Sequence, residues 1–164
     1  MSVSIAAARA SIYARLSAAV GSVANVHDYT RMVTDEATRD VVCKKGGLFS
    51  FWYVSLADDN PFLTVNSRRI EGRNPINNEF GLYNFSLHGF YGWNDANATE
   101  KTFADIVESV VTAFRNDKKL GETVIDSGPI QWHDGKPRMY PPGEGGVLCH
   151  YGRLDISVFV QTEP

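Results

Sequence analysis

The chain has 164 residues, 43% of them apolar and 21% charged, and its 16 basic and 19 acidic side chains leave a net charge of −3. This composition excludes intrinsic disorder, and the acidic balance excludes a strongly basic nucleic-acid binder while leaving room for a local basic patch. The length predicts a single domain over residues 1–164, large enough to bury about 70% of the surface of its unfolded chain without disulfide staples.

Ser4 is placed to cap a helix over residues 5–20, with Ile5, Ala8, Ile12, Leu16 and Ala19 on one narrow stripe and Gly21 at the C′ position. The stripe is rich in alanine, which suits close packing on a sheet. A short strand is expected in "VANVHDYT". A second helix is expected in "TDEATRDVVCKK", with Thr34 as N-cap, Asp35 and Glu36 in its first turn, Lys44 and Lys45 in its last, and Gly46-Gly47 ending it. The aromatic and β-branched run "LFSFWYVSL" predicts a strand. "ADDNP" predicts a turn, "FLTVNSRRIEG" a strand, and "RNPINNEFG" a polar connection.

"LYNFSLHGFYGW" alternates cleanly. Phe85, Leu87, Gly89, Tyr91 and Trp93 point one way, and Ser86, His88, Phe90 and Gly92 the other. Aromatics on both sides predict a central strand covered on at least part of each side, and Gly89 and Gly92 permit a close approach of a helix or mark a bulge. The following helix is the clearest in the chain. Asn97 is the expected cap with Glu100 three residues on, and Phe103, Ile106, Val107, Val110, Val111 and Phe114 form a core-facing stripe. "PIQWHDGKPRMYPPGEGG" predicts a short strand and a Pro/Gly-rich loop. "VLCHYGRLDISVFV" predicts a long last strand with Leu148, His150, Gly152, Leu154, Ile156, Val158 and Val160 on one face. The order of elements predicts an α+β fold, a mostly antiparallel sheet with two main helices packed on one face.

Chemistry-bearing motifs are weak. Cys43 and Cys149 are too few for a disulfide framework and read as buried thiols in a reducing compartment. No segment reaches the ~18 apolar residues of a membrane span, and Arg9 and Arg15 interrupt the start of the chain in a way that argues against a signal peptide. His27-Asp28 and His133-Asp134 are neighbours whose side chains diverge in a strand, so neither reads as a relay. His88 and His150 sit inside strands; hydrogen-bonded sheet histidines are the reading preferred over a metal site with Cys149. Asp58-Asp59 lacks the spacing of a calcium loop, and "GEGG" precedes a strand, where a phosphate cradle needs a helix start; it reads as a hairpin tip. No catalytic residue, cofactor or metal is therefore expected. Arg68, Arg69 and Arg73 form the one dense basic patch, and Trp52 belongs to an aromatic run that would be an interface if one strand face were uncovered. These four are the candidate interface or lumen residues.

Three ordered blocks, "VHDYTR", "FSLHGFYGWNDANATEKTFADIVESVVTAFRND" and "GGVLCHYGRLDISV", cover about half the chain. They resemble a family of small tailed-phage and prophage proteins whose layout is similar to that of tail-terminator, or tail-completion, proteins. The resemblance implies a non-enzymatic virion protein, assembled in the host cytoplasm. It would form a homo-oligomeric, hexameric ring that caps the tail-tube protein and meets the head–tail connector or neck. DNA would pass through the lumen, and no membrane is involved. The segment 58–78 and the loop 133–146 depart from the family pattern. Alternative readings are another minor tail or neck component, or a small enzyme using His88 or His150 as general base.

Overall fold

Two long strands organise the molecule. In the computed structural model, which describes residues 3–57, 62–66 and 79–162, β5 (Glu79–Gly92) pairs antiparallel with β9 (Val147–Thr162) along its whole length, from Glu79 opposite Thr162 to Gly92 opposite Cys149. β3 (Leu48–Leu56) and then β4 (Phe62–Asn66) pair with successive parts of β5, both antiparallel. Outside β3 lie β1 (Asn25–His27), the one parallel neighbour, and β2 (Lys44–Lys45). On the far side of β9 lie β6 (Asp126–Ser127), β7 (Gln131–Asp134) and β8 (Arg138–Tyr140). Among the described residues this makes a nine-stranded sheet with three helices, α1 (Ile5–Val20), α2 (Glu36–Cys43) and α3 (Thr99–Asn116). The fold is α+β.

α1 and α3 share one face of the sheet. Ala8, Ile12, Leu16 and Val20 of α1 and Phe103, Ile106, Val110 and Phe114 of α3 are buried against Trp52, Val54, Phe85, Leu87, Leu154, Ile156, Val158 and Val160. These strand residues sit at alternate positions, so one face of three adjacent strands supplies a continuous apolar floor. Fully burying each such large side chain contributes roughly 1.5–3 kcal/mol. Arg15 of α1 pairs with Asp117 just past α3, tying the two helices at one end.

The opposite face has a smaller second core. Phe51, Tyr53, Phe90, Tyr151 and Cys149 meet Cys43 of α2 and Tyr140 of β8, with Phe51 stacked on Phe90 at 4.8 Å. Tyr140 donates its hydroxyl to Arg31 O at 3.0 Å and accepts from Val33 N at 3.2 Å, which holds the segment before α2 over the rings. Buried Arg39 of α2 donates to Gly145 O at 3.0 Å. Both sheet faces are thus covered around β3. Trp52, expected as a candidate interface residue, is fully buried in the main core instead. Arg68, Arg69 and Arg73, with the Asp58-Asp59 turn, lie outside the described residues.

Several local expectations are corrected. Asp35, not Thr34, caps α2, its carboxylate accepting from Thr38 N at 2.8 Å. Lys44 and Lys45 are not the last turn of that helix: they form β2, and Gly46-Gly47, both at positive φ, make the two-residue hairpin loop to β3. Gly21 stays right-handed, so it does not act as a left-handed cap; a Cβ there would lie 2.5 Å from Ser17 O. Glu79 to Gly81 belong to β5 and not to a connection. The loop after β7 contains β8, and its Gly-rich end is the turn that joins β8 to β9. Asn97 does not cap α3. Asn94 takes a capping role one short turn earlier, accepting from Asn97 N at 3.3 Å, and Ala98 sits left-handed at the junction.

Candidate interaction groove

The long helix and the short strands beyond β9 do not close on each other. Between them lies an open, mostly apolar groove of about 650 Å³. Its floor is a run of rings. Trp93, just after β5, stacks on His150 of β9 with centroids 4.2 Å apart. His150 in turn stacks on Phe103 of α3 at 6.0 Å. The Phe103 ring and the indole of Trp132 from β7 both close on Gly152, where an added Cβ would lie 3.1 Å from Trp132 and 3.3 Å from Phe103. Val107 and Val111 form the helix wall, and Glu100, Glu108 and Arg115 stand along it.

The glycines explain why an indole can lie here. A Cβ on Gly135 would be only 1.9 Å from Trp132 Cζ2, so two glycines, one in β9 and one after β7, form the bed for the ring. The bulge between Trp132 and Asp134 shifts the register of β7 on β9. Trp132 nevertheless remains 54% exposed and Trp93 37%. The exposed surface continues past the groove. Met139 sits opposite Leu148, and Trp93 N donates to Leu148 O at 2.9 Å. Extending the β3–β5 register by two residues places Leu48 beside Trp93. All four are exposed.

His150 braces the start of α3. Thr99 Oγ1 accepts from Asn94 N at 2.9 Å and donates to Asn94 O at 3.1 Å, and it lies 2.8 Å from His150 Nε2. With its one hydrogen on Asn94 O, the hydroxyl receives Nε2–H from the ring. Burial lowers the pKa of His150, partly opposed by Glu100 and Asp95. Its neutral form therefore floors the groove.

His88 points to the other face. The two histidine strands do pair, but His88 lies opposite Arg153 and His150 opposite Tyr91, on alternate faces. His88 Nε2 is 3.0 Å from Ser55 Oγ and Nδ1 is 2.7 Å from Tyr151 OH. The nearby carboxylate, Asp155, accepts instead from Ser86 at 2.7 Å and Arg153 at 3.0 Å, and faces His133 Nδ1 at 3.4 Å. His133 thus meets a carboxylate across the sheet, while its neighbour Asp134 binds Arg138. His27 Nε2 lies 2.9 Å from Val42 O. Burial pushes the thiols up, Cys43 to about 11 and Cys149 to about 12, so both stay protonated.

Sequence reasoning missed Trp132 and gave Trp93 only a place in an alternating strand. An edge position depends on which strands lie outside β9, and no local pattern carries that.

Among the described residues no helix is long and apolar enough to cross a membrane. The chain matches no family model, and no curated protein matches it.

Proposed function

We propose that this chain is a virion assembly protein of the tail-terminator type. It acts by fitting against copies of itself and against neighbouring tail and neck parts, rather than by making or breaking bonds. What carries the reading is the aromatic groove at one edge of the sheet. Two indoles stay exposed there, Trp132 on a bed shaped by two glycines and Trp93 stacked on His150, as suits the anchor of a protein contact. The three sequence blocks that resemble the phage family point the same way. In this reading the subunits close a ring, which stops growth of the tail tube and offers a second surface to the head connector.

The test is capping. Tail tubes grown from the tube protein of the same genome are incubated with the purified chain and imaged by negative-stain electron microscopy. The reading predicts rings on one tube end and arrested elongation. Tubes that lengthen unchecked, with no density at either end, would refute it.

A further inference from the structure

The groove has a counterpart at the opposite edge of the sheet. β2 lies outside β3, whereas β7 and β8 lie outside β9, with β5 between. At the β2 edge Val41 of α2 is 77% exposed, the highest of any large apolar side chain among the described residues. Lys44 and Lys45 follow it three and four positions on, both exposed. Lys44 reaches Asp40 at 3.0 Å, so ammonium groups outnumber carboxylate two to one at this corner. Along the groove the balance is reversed: Glu100 and Glu108 outnumber Arg115 two to one. One edge is a basic projection with an apolar tip, and the other is a slot with an aromatic floor, an acidic helix wall and, on the strand side, the exposed Lys136 and Arg138.

We infer that the groove of one copy receives the α2–β2 corner of the next. Resting on the ring reading above, this assigns its contact surfaces: Val41 lies on the Trp93–Trp132 floor, and Lys44 and Lys45 face Glu100 and Glu108. Because the two surfaces differ, the contact is heterologous and propagates from copy to copy until a ring closes. The charges fix the register and the direction, while the apolar tip and the indoles exclude water.

Charge reversal tests this by sedimentation velocity on the full chain. Glu100→Lys with Glu108→Lys makes the groove basic, and Lys44→Glu with Lys45→Glu makes the corner acidic. All five positions changed, these four and Val41, are exposed, and far-UV circular dichroism checks that each variant folds. Each double variant alone is expected to weaken self-association by at least about tenfold, since like charges then meet across the contact. The chain carrying all four changes is expected to recover association close to wild type. Val41→Asp, which leaves every one of those charges in place, is expected to weaken association as each double variant does. Wild-type association that neither reversal alters, or a fourfold variant that stays dissociated, would overturn this pairing and leave the ring reading standing. A wild-type chain that is monomeric at every concentration would overturn both.

Discussion

Trp52 and Trp132 use the same local device with opposite results. Each indole lies over a glycine of a neighbouring segment. A Cβ on Gly89 would come within 2.4 Å of Trp52, as one on Gly135 would come within 1.9 Å of Trp132. Trp52 lies beneath the helices, stacked with Phe103 at 6.3 Å, and is fully buried. Trp132 lies one strand beyond β9, where α3 no longer reaches across, and stays half exposed. The chemistry of the ring and its bed is shared, so what separates core from contact surface is the reach of the helix layer.

Substitutions can break this comparison. Trp52→Ala is expected to cost about 3–5 kcal/mol in urea unfolding, because it empties the centre of a covered core. Phe103→Ala should fall in the same range, since Phe103 is buried and serves both the core and the groove floor. A loss under 1 kcal/mol in either would mean that the helix layer does not seal this face.

The glycines sharpen it. Gly89→Ala drives a methyl into an indole that has nowhere to go, with an expected cost of about 1–3 kcal/mol. Gly135→Ala meets a ring that can swing into solvent, so stability should change by less than about 0.5 kcal/mol while the groove loses its shape and self-association weakens. Equal stability costs at the two glycines would contradict the distinction between sealed and open beds.

The helix start between the two regions gives a smaller effect. Thr99→Val removes the hydroxyl shared by Asn94 and His150, and about 1 kcal/mol is expected in the unfolding midpoint. His150 and His27 both have pKa values lowered by burial from the ordinary 6.5. As pH falls, the unfolded chain takes up these protons first. Stability is therefore full above that value and declines as pH falls through it. Urea midpoints measured between about pH 7.5 and 5.5 should drop, and less so in His150→Gln. Asp35 and Asp134 also have lowered pKa values, through hydrogen bonds to Thr38 and to Lys136 N; their contribution is lost only at lower pH, as it falls through and below about 3.8. A midpoint that rises on acidification across the histidine window would contradict the assignment of a neutral, stacked His150.

Much of the fold was legible because apolar periodicity reports burial directly. The α1 stripe, the β3 run, the alternation of β5 and β9 and the α3 face all occur where their spacing places them. Boundaries were less so. Asn94 capped ahead of Asn97 because both are good caps and only tertiary contact with Thr99 and His150 decides between them. Gly46-Gly47 reads equally well as a helix stop or a hairpin loop until β2 has a partner. The groove was not legible: Trp132, Trp93 and His150 come together only through the strand order β5–β9 with β7 outside, a long-range fact that neighbouring residues do not encode. Trp52 was misplaced for the related reason that its cover comes from Phe103 and the other core residues of the two main helices, brought over β3 only by the tertiary fold.

The most direct test is sedimentation velocity of the unmodified chain over a micromolar-to-millimolar series, beside Trp132→Ala. A reversible shift with concentration to one discrete, larger species is predicted, lost in the variant while its unfolding midpoint holds. A single monomeric species across the whole series, identical for both chains, would contradict a protein that works by fitting edge to edge with its own copies.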